Sequence, residues 1–359
     1  MPPTPAWLSI NSTTGEITGT PSVGTAAGSP YTVRVVVTDA NGITDTKNLS
    51  LTVQVTSVRD DFNNANNVTL SNTIHVPELG VIRLARTVAD ALDQRNNAGL
   101  QSSAFGGNTW LAQVFTCGTA GYLSRVRLYL RVTSGGNLTV QIRNVTGNVP
   151  GTTIYATSTR YVGATNWTWI NVPFISLAYL TNGTQYAIVV SGDSDAGFSW
   201  ARSGAGNPYG GGRFCDSTNG GTNWTDHNNW DAHFETYIST GGYNLLGNAV
   251  TVQIEPATVS QIDHYQTLAV GANIPTGTAI TVQIQYWDGT NWQPIPDSEL
   301  GGLPNSTTGI DVSANNPIDM SNVDVNTRGR IRFQFNLGTV DPAVTPLLDW
   351  YELTWSPYP

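Results

Sequence analysis

The sequence predicts an all-β protein, a series of antiparallel β-sandwiches, and three observations carry that reading. The first is strict alternation of apolar and polar residues. In LSRVRLYLRVT, Val126, Leu128, Leu130 and Val132 fall on one side and Arg125, Arg127, Tyr129 and Arg131 on the other. The same two-residue period recurs in NLTVQIR, AITVQIQYW and GRIRFQFNL. Successive side chains on a strand point to opposite faces, so the pattern describes sheets with one dry and one wet side. The second is composition: charged residues make up only 11%, against roughly 25% in ordinary globular chains. Gly, Thr, Asn and Ser take their place, and these suit turns and the wet faces of strands better than helices. The third is the regular spacing of turn residues between short alternating runs, the signature of antiparallel sandwiches.

At 359 residues the chain has room for two or three units, each with its own core. Aromatic and β-branched residues are plentiful, which excludes disorder. The net charge is −9 and no basic stripe is visible, so nucleic acid is not an expected partner. The opening MPPTPAWLSIN is neither basic nor apolar, and no stretch is long and apolar enough to span a membrane. Two readings fit: a piece of a larger secreted protein, or a virion protein that needs no export. The 2 cysteines, Cys117 and Cys215, are expected to pair as a disulfide tying the strands of one sandwich; two free thiols are the alternative.

Residues 1–57 form the first unit. Its second half reads as a hairpin around the turn cluster Asp39-Ala40-Asn41-Gly42. The stretch PAWLSINSTTGEITGTP and the TDANG turn resemble the immunoglobulin-like (cadherin-like) repeats of bacterial and archaeal surface proteins. The matching positions are Pro5, Trp7, Leu8, Asn11, Thr14, Gly15, Gly19, Thr20, Pro21, Thr38, Asp39 and Gly42. The resemblance covers only the later half of such a repeat, so it implies a sheet with an unpaired edge that a neighbour would complete. Residues 100–240 hold at least six strands. Their AQVF opening, GYLSRVRLYL and LTVQIR strands and WDAHF close resemble the choice-of-anchor jelly roll of bacterial, archaeal and phage surface proteins. Residues 241–359 end in DPAVTPLLDWYELTW, which resembles the last strand of galactose-binding-like sandwiches. In similar proteins the DDFN…VIRLA segment belongs to that same sandwich. The expected arrangement is therefore a discontinuous sandwich of 58–99 plus 241–359, with the jelly roll of 100–240 inserted. From Val81 through Leu84, Ala85, Val88, Ala91 and Leu92 the spacing also fits a helix; a strand over 80–85 followed by irregular chain is the alternative.

No catalytic signature appears, neither HExxH, GxSxG, a Walker loop nor a Cys/His zinc pattern, so a non-enzymatic role is expected. If residues 230–236 form a strand, Trp230, Ala232 and Phe234 face in. Asp231, His233 and Glu235 then share the outward face, where they could ligate a metal or serve as acid and base; a solvated strand face is the plainer reading. Asp193 and Asp195 could contribute to a structural Ca2+ loop or simply form a turn. The SerThrAsnGlyGlyThrAsnTrp stretch at 217–224 and WDGTNW at 287–292 are similar to Asp-box hairpins and are read as turn-formers. Trp200, Tyr209, Trp224 and Trp230 lie in a Gly-rich stretch at one end of a sandwich. There, flat rings could stack on sugars, or could plug the sandwich end. The expectation is an extracellular structural or adhesive protein of a virion (capsid decoration, fibre or tail) or cell surface, working as a homo-oligomer or with other surface proteins. A carbohydrate-binding module of a larger secreted protein is the alternative.

Overall fold

The structure, a computed structural model, describes residues 8–19, 30–51, 57–254 and 262–357. It is all β, and among the described residues its helix is one 3-10 turn, Asp297–Leu300. The segment read as either helix or strand is a strand, Val81–Leu84, buried at every position. A second strand, Ala91–Asn96, follows it. Burial on both faces explains why a two-residue alternation was missing there.

Two six-stranded sheets enclose the central core. One has Gly121–Val132 at its middle, flanked by Thr165–Leu180 on one side and by Phe234–Ser239 and Phe198–Arg202 on the other. The second runs Val149–Val162, Gly136–Thr146, Gln185–Gly192, Trp110–Thr116, Arg213–Ser217 and Thr225–His227. The alternation read from sequence sets the packing: Val126, Leu128 and Leu130 are fully buried and share a core with Leu138, Val140 and Ile142 of the second sheet. Ala91–Asn96 pairs with Phe234–Ser239. It lies in the central sheet, so the chain enters the central sandwich before residue 91 rather than at 99.

Strands from both sides of that central segment share two further sheets. Val68–Ser71 pairs with Leu246–Thr251, and Ser57–Asp60 and Val81–Leu84 both pair with Leu347–Pro357. Their core follows the period of two along Ile331–Thr339, where Ile331, Phe333, Phe335 and Leu337 are buried. Phe333 meets Tyr351 of the facing sheet edge-on at 5.3 Å. The chain leaves and re-enters this sandwich through adjacent segments. Arg86 and Tyr243 form an antiparallel bridge, and the Thr87 N–H donates to the Gly242 carbonyl at 2.9 Å.

The joint between the two sandwiches is built. Leu177, at the far end of the Thr165–Leu180 strand, is buried in the core of the C-terminal sandwich, and its N–H donates to the Ala343 carbonyl. Tyr243 is 1% exposed, and its hydroxyl donates to the Ile175 carbonyl at 2.8 Å. Asp90 accepts from Ser124 Oγ at 2.5 Å and Arg125 Nε at 3.0 Å, with Arg86 Nη1 at 3.7 Å. Burial works to raise the Asp90 carboxyl, but these hydrogen bonds and the charges of Arg125 and Arg86 hold it below the usual carboxylate range.

Among its described residues the N-terminal unit shows two two-stranded sheets, Leu8–Ile10 with Ile17–Gly19 and Tyr31–Thr38 with Thr44–Leu51. The turn forms as the sequence predicts. Asp39 Oδ1 accepts from the Asn41 and Ile43 N–H groups, and Gly42 takes φ +82°, which favours glycine. Pro5, Trp7, Thr20 and Pro21 lie outside the described residues.

Cys117 and Cys215 are free, which corrects the expected disulfide. Cys215 pairs in register with Ala112, while Cys117 lies just past the end of that same strand. Five residues along a strand is about 16 Å, far beyond disulfide reach. Burial is the main cause that raises both thiols, Cys117 to about 11 and Cys215 to about 12. Neither thiol of the native protein is therefore expected to react with Ellman's reagent at pH 8, and both should react once denatured. A thiol-free denatured chain would restore the disulfide.

Candidate functional site

The end-of-sandwich aromatic cluster read from sequence is not a sugar platform. Trp200 is 0% exposed and packs in the central core, its Nε1–H donating to the His233 carbonyl at 2.8 Å. Tyr209 is buried in the same core, edge-on to Phe234 at 5.1 Å, with its hydroxyl donating to Gln94 Oε1. Trp230 is half-buried, but both its faces are occupied: Arg202 lies over the ring at 3.8 Å and His227 stacks on it at 4.0 Å. His227 is also hydrogen-bonded to Asp216. Trp224 packs on a small apolar cluster with Ala112, Val114 and Cys215 on the outer side of the second sheet. Trp200 and Tyr209 face into the core, Trp230 is sandwiched by Arg202 and His227, and Trp224 packs on the outer cluster.

The outward carboxylate-histidine face is also corrected. The regular strand starts at Phe234, not at 230, and Asp231, His233 and Glu235 are all buried. Asp231 turns between the sheets, where its Oδ1 accepts from Gln113 Nε2 at 3.0 Å and its Oδ2 from the Tyr209 N–H at 3.1 Å. Asn207, with its amide oriented to satisfy its neighbours, adds a third donor at 3.0 Å. No cation is paired with this carboxylate, and burial pushes its pKa up to about 6 against the smaller pull of the Gln113 and Tyr209 hydrogen bonds. His233 and Glu235 go to the opposite side of the sheet. Among the described residues no three His, Cys, Asp or Glu side chains gather as metal ligands. Asp193 Oδ2 accepts from the backbone and side-chain amides of Asn137, and Asp195 is exposed beside it, an arrangement that closes a loop. The 217–224 stretch likewise spends its polar groups on its own turn: Ser217 Oγ accepts from the Gly221 N–H, and Asn219 Oδ1 from the Asn223 N–H.

The face that gathers chemistry is the outer side of the sheet centred on Gly121–Val132. Cross-strand register sets Tyr129 opposite Trp169, Arg127 between Asn171 and Glu235, and Arg125 opposite Tyr237. Tyr129 lies between two rings, Trp167 and His233, each stacked at 5.9 Å, and meets Trp169 at 5.3 Å. Guanidinium groups cap the series. Arg131 lies over Trp167 at 5.6 Å, Arg127 over Trp169 at 5.5 Å and Arg125 over Tyr237 at 3.6 Å. Glu235 accepts from Arg127 at 2.9 Å and from the Tyr237 hydroxyl at 2.8 Å, with Arg95 at 3.9 Å. Burial, against the backbone hydrogen bonds of Ala98 and Gly99, holds the His233 imidazole below its ordinary pKa. The signal for this face was present in sequence. Arg125, Arg127, Tyr129 and Arg131 alternate in one strand, and Trp167 and Trp169 in another. What a single strand does not show is that the two runs lie side by side.

The fold defines an all-β protein of antiparallel sandwiches. Residues 1–54 match the family model described as "Putative Ig domain", in line with the immunoglobulin-like resemblance of the first unit. No curated protein matches the chain. Among solved structures it is similar to the cysteine protease and lectin-like domains of Cwp84, a surface layer associated protein of Clostridium difficile. That likeness has TM-score 0.31 and 20% identity, and covers 42% of this chain and 36% of that one. It is also similar to a "putative secreted protein" from Parabacteroides distasonis, with TM-score 0.20 and 8% identity, covering 83% of this chain and 99% of that one. The chain thus spans about a third of the Cwp84 chain, 36%. At these scores neither likeness bears on the site. Among the described residues no helix is long and apolar enough to cross a membrane.

Proposed function

We propose that the chain is a non-enzymatic structural and adhesive protein of an extracellular surface, of a virion or a cell, that assembles through its sandwich units. The observation that supports this reading is the N-terminal unit. Its apolar residues Ile10, Val36, Val37 and Ile43 are exposed, Val37 by 66% and Ile43 by 69%. Two-stranded sheets are marginal alone and need a further layer over their apolar side. A second copy packing its own apolar residues face to face against them would supply it. The test is the mass of the protein in solution by light scattering, with a deletion of residues 1–57 alongside. A trimer, or a polymer that the deletion dissolves, supports the reading; a monomer indifferent to the deletion overturns assembly through this unit.

A second reading, a carbohydrate-binding module, is favoured by a separate observation. The Trp167–Tyr129–Trp169 series is half-buried on the outer side of its sheet and belongs to none of the hydrophobic cores. Retention of the protein on immobilised polysaccharide tests it directly.

A further inference from the structure

We propose that the outer face around Arg131, Trp167, Trp169 and Arg127 is a binding site for acidic polysaccharide, a chain of sugars carrying carboxylate or sulfate groups. The inference rests on the carbohydrate-binding reading and names its ligand class.

The argument begins with what this face offers. Arg131 is exposed, has no acidic partner among the described residues, and is steadied by the Trp167 ring beneath it. An exposed guanidinium within 5.6 Å of an indole ring, with no carboxylate spending its N–H groups, is able to take carboxylate or sulfate by two parallel hydrogen bonds. The indole N–H groups of Trp167 and Trp169 have no protein acceptor among the described residues and are not buried, so they too are free donors. The carboxylates that reach this face are already engaged: Glu235 by Arg127, Arg95 and Tyr237, Asp90 by Ser124 and Arg125, and Glu78 by the Asn171 amide. The face is therefore rich in donors and poor in acceptors. Arg131 stands alone, and Arg127 and Arg95 share Glu235, so this face keeps a positive balance on a chain whose net charge is −9. Such a local reversal of sign selects for anions.

Spacing narrows the class. Arg127 and Arg131 are four residues apart on one strand, about 13 Å, with aromatic edges between them. A ligand matching this brings an anionic group to Arg131 and a hydroxyl- and CH-rich chain along the neighbouring rings. A single nucleic-acid strand carries a charge about every 3.4 Å on a backbone with bare phosphates, and the acidic remainder of the protein would repel it. A neutral sugar would leave the free guanidinium of Arg131 unused.

The test is affinity electrophoresis and calorimetry of the full chain against polygalacturonate, dextran sulfate, unmodified dextran and single-stranded DNA at 50 and 300 mM NaCl. The variant is Arg131→Gln, at an exposed position that leaves the sheet intact; near-UV circular dichroism confirms its fold. Binding of polygalacturonate or dextran sulfate, weakened at least tenfold by R131Q, supports the proposal, and the better of the two identifies carboxylate or sulfate as the anion. Binding that R131Q leaves unchanged overturns it. Dextran bound as well as the charged polymers overturns the acidic specificity while leaving the carbohydrate reading standing. DNA bound as tightly as polygalacturonate overturns it in favour of unselective polyanion binding. No binding to any polysaccharide overturns both readings.

Discussion

Replacement of Tyr243 by Ala is expected to lower the unfolding free energy by about 4 kcal/mol and to split a shared thermal transition into two. Tyr243 is buried in the C-terminal core, yet its hydroxyl reaches the Ile175 carbonyl on a strand of the central sandwich. Its ring lies under the guanidinium groups of Arg83 at 5.0 Å and Arg86 at 5.7 Å. Truncation leaves a cavity beneath two cations and removes the donor to Ile175. Burial already holds the Arg83 guanidinium below its ordinary pKa, with the Tyr243 ring among the groups opposing that effect. Calorimetry on wild type, Tyr243→Ala and Tyr243→Phe separates the contributions. The Phe variant keeps the packing, loses one hydrogen bond and is expected to cost only about 1 kcal/mol without splitting the transition. A single unshifted transition in the Ala variant would mean that the sandwiches are coupled elsewhere, through Leu177 and the Asp90 cluster.

The second large effect is a pH dependence centred on Asp231. Its carboxyl is 0% exposed, accepts hydrogen bonds from neutral donors and has no cation beside it. An acid with a folded-state pKa of about 6 against 3.8 in the unfolded chain binds its proton more tightly when folded. Its stabilising contribution is complete below pH 3.8 and is lost as pH rises through about 6. That difference is worth about 3 kcal/mol. Asp90, whose pKa is lowered, works in the opposite direction and loses its contribution as pH falls. The measurement is therefore differential. Between pH 4 and pH 7 wild type should lose about 2 kcal/mol relative to Asp231→Asn in urea unfolding. A difference between the two proteins that stays constant across that range would show that Asp231 does not titrate there. The Asn variant is not neutral in itself, since its amide would point a donor at the Tyr209 N–H or the Asn207 amide.

Strand identity was legible wherever one face is wet. Gly121–Val132 and Ile331–Thr339 alternate residue by residue because water on one side demands polar groups and the core on the other excludes them. The same rule failed where both faces are covered. Val81–Leu84 reads as a helix as easily as a strand because no residue in it meets solvent. It failed again at Trp230 to His233. A strand extended backwards from Phe234 puts Asp231 outward, but the chain there leaves the ladder, and Asp231 finds its donors between the sheets. Trp200 and Tyr209 were credited to a loop because glycines surround them. Trp200 sits in the short strand Phe198–Arg202, whose five residues are all buried, and Tyr209 packs in the same core.

Local pattern alone determined that this protein is β throughout, which residues of the long strands enter the cores, and that Asp39 to Gly42 turns a hairpin. These depend on neighbours one to four positions away, and side-chain alternation and turn chemistry act at that range. Only the tertiary structure decided which strands lie together. It joined 57–84 to 246–357, left Cys117 and Cys215 apart, and laid the Trp167 and Trp169 strand beside the arginines of the Gly121–Val132 strand. Pairing partners are chosen by the burial of whole faces across tens to hundreds of residues, and no single strand carries the address of its neighbour.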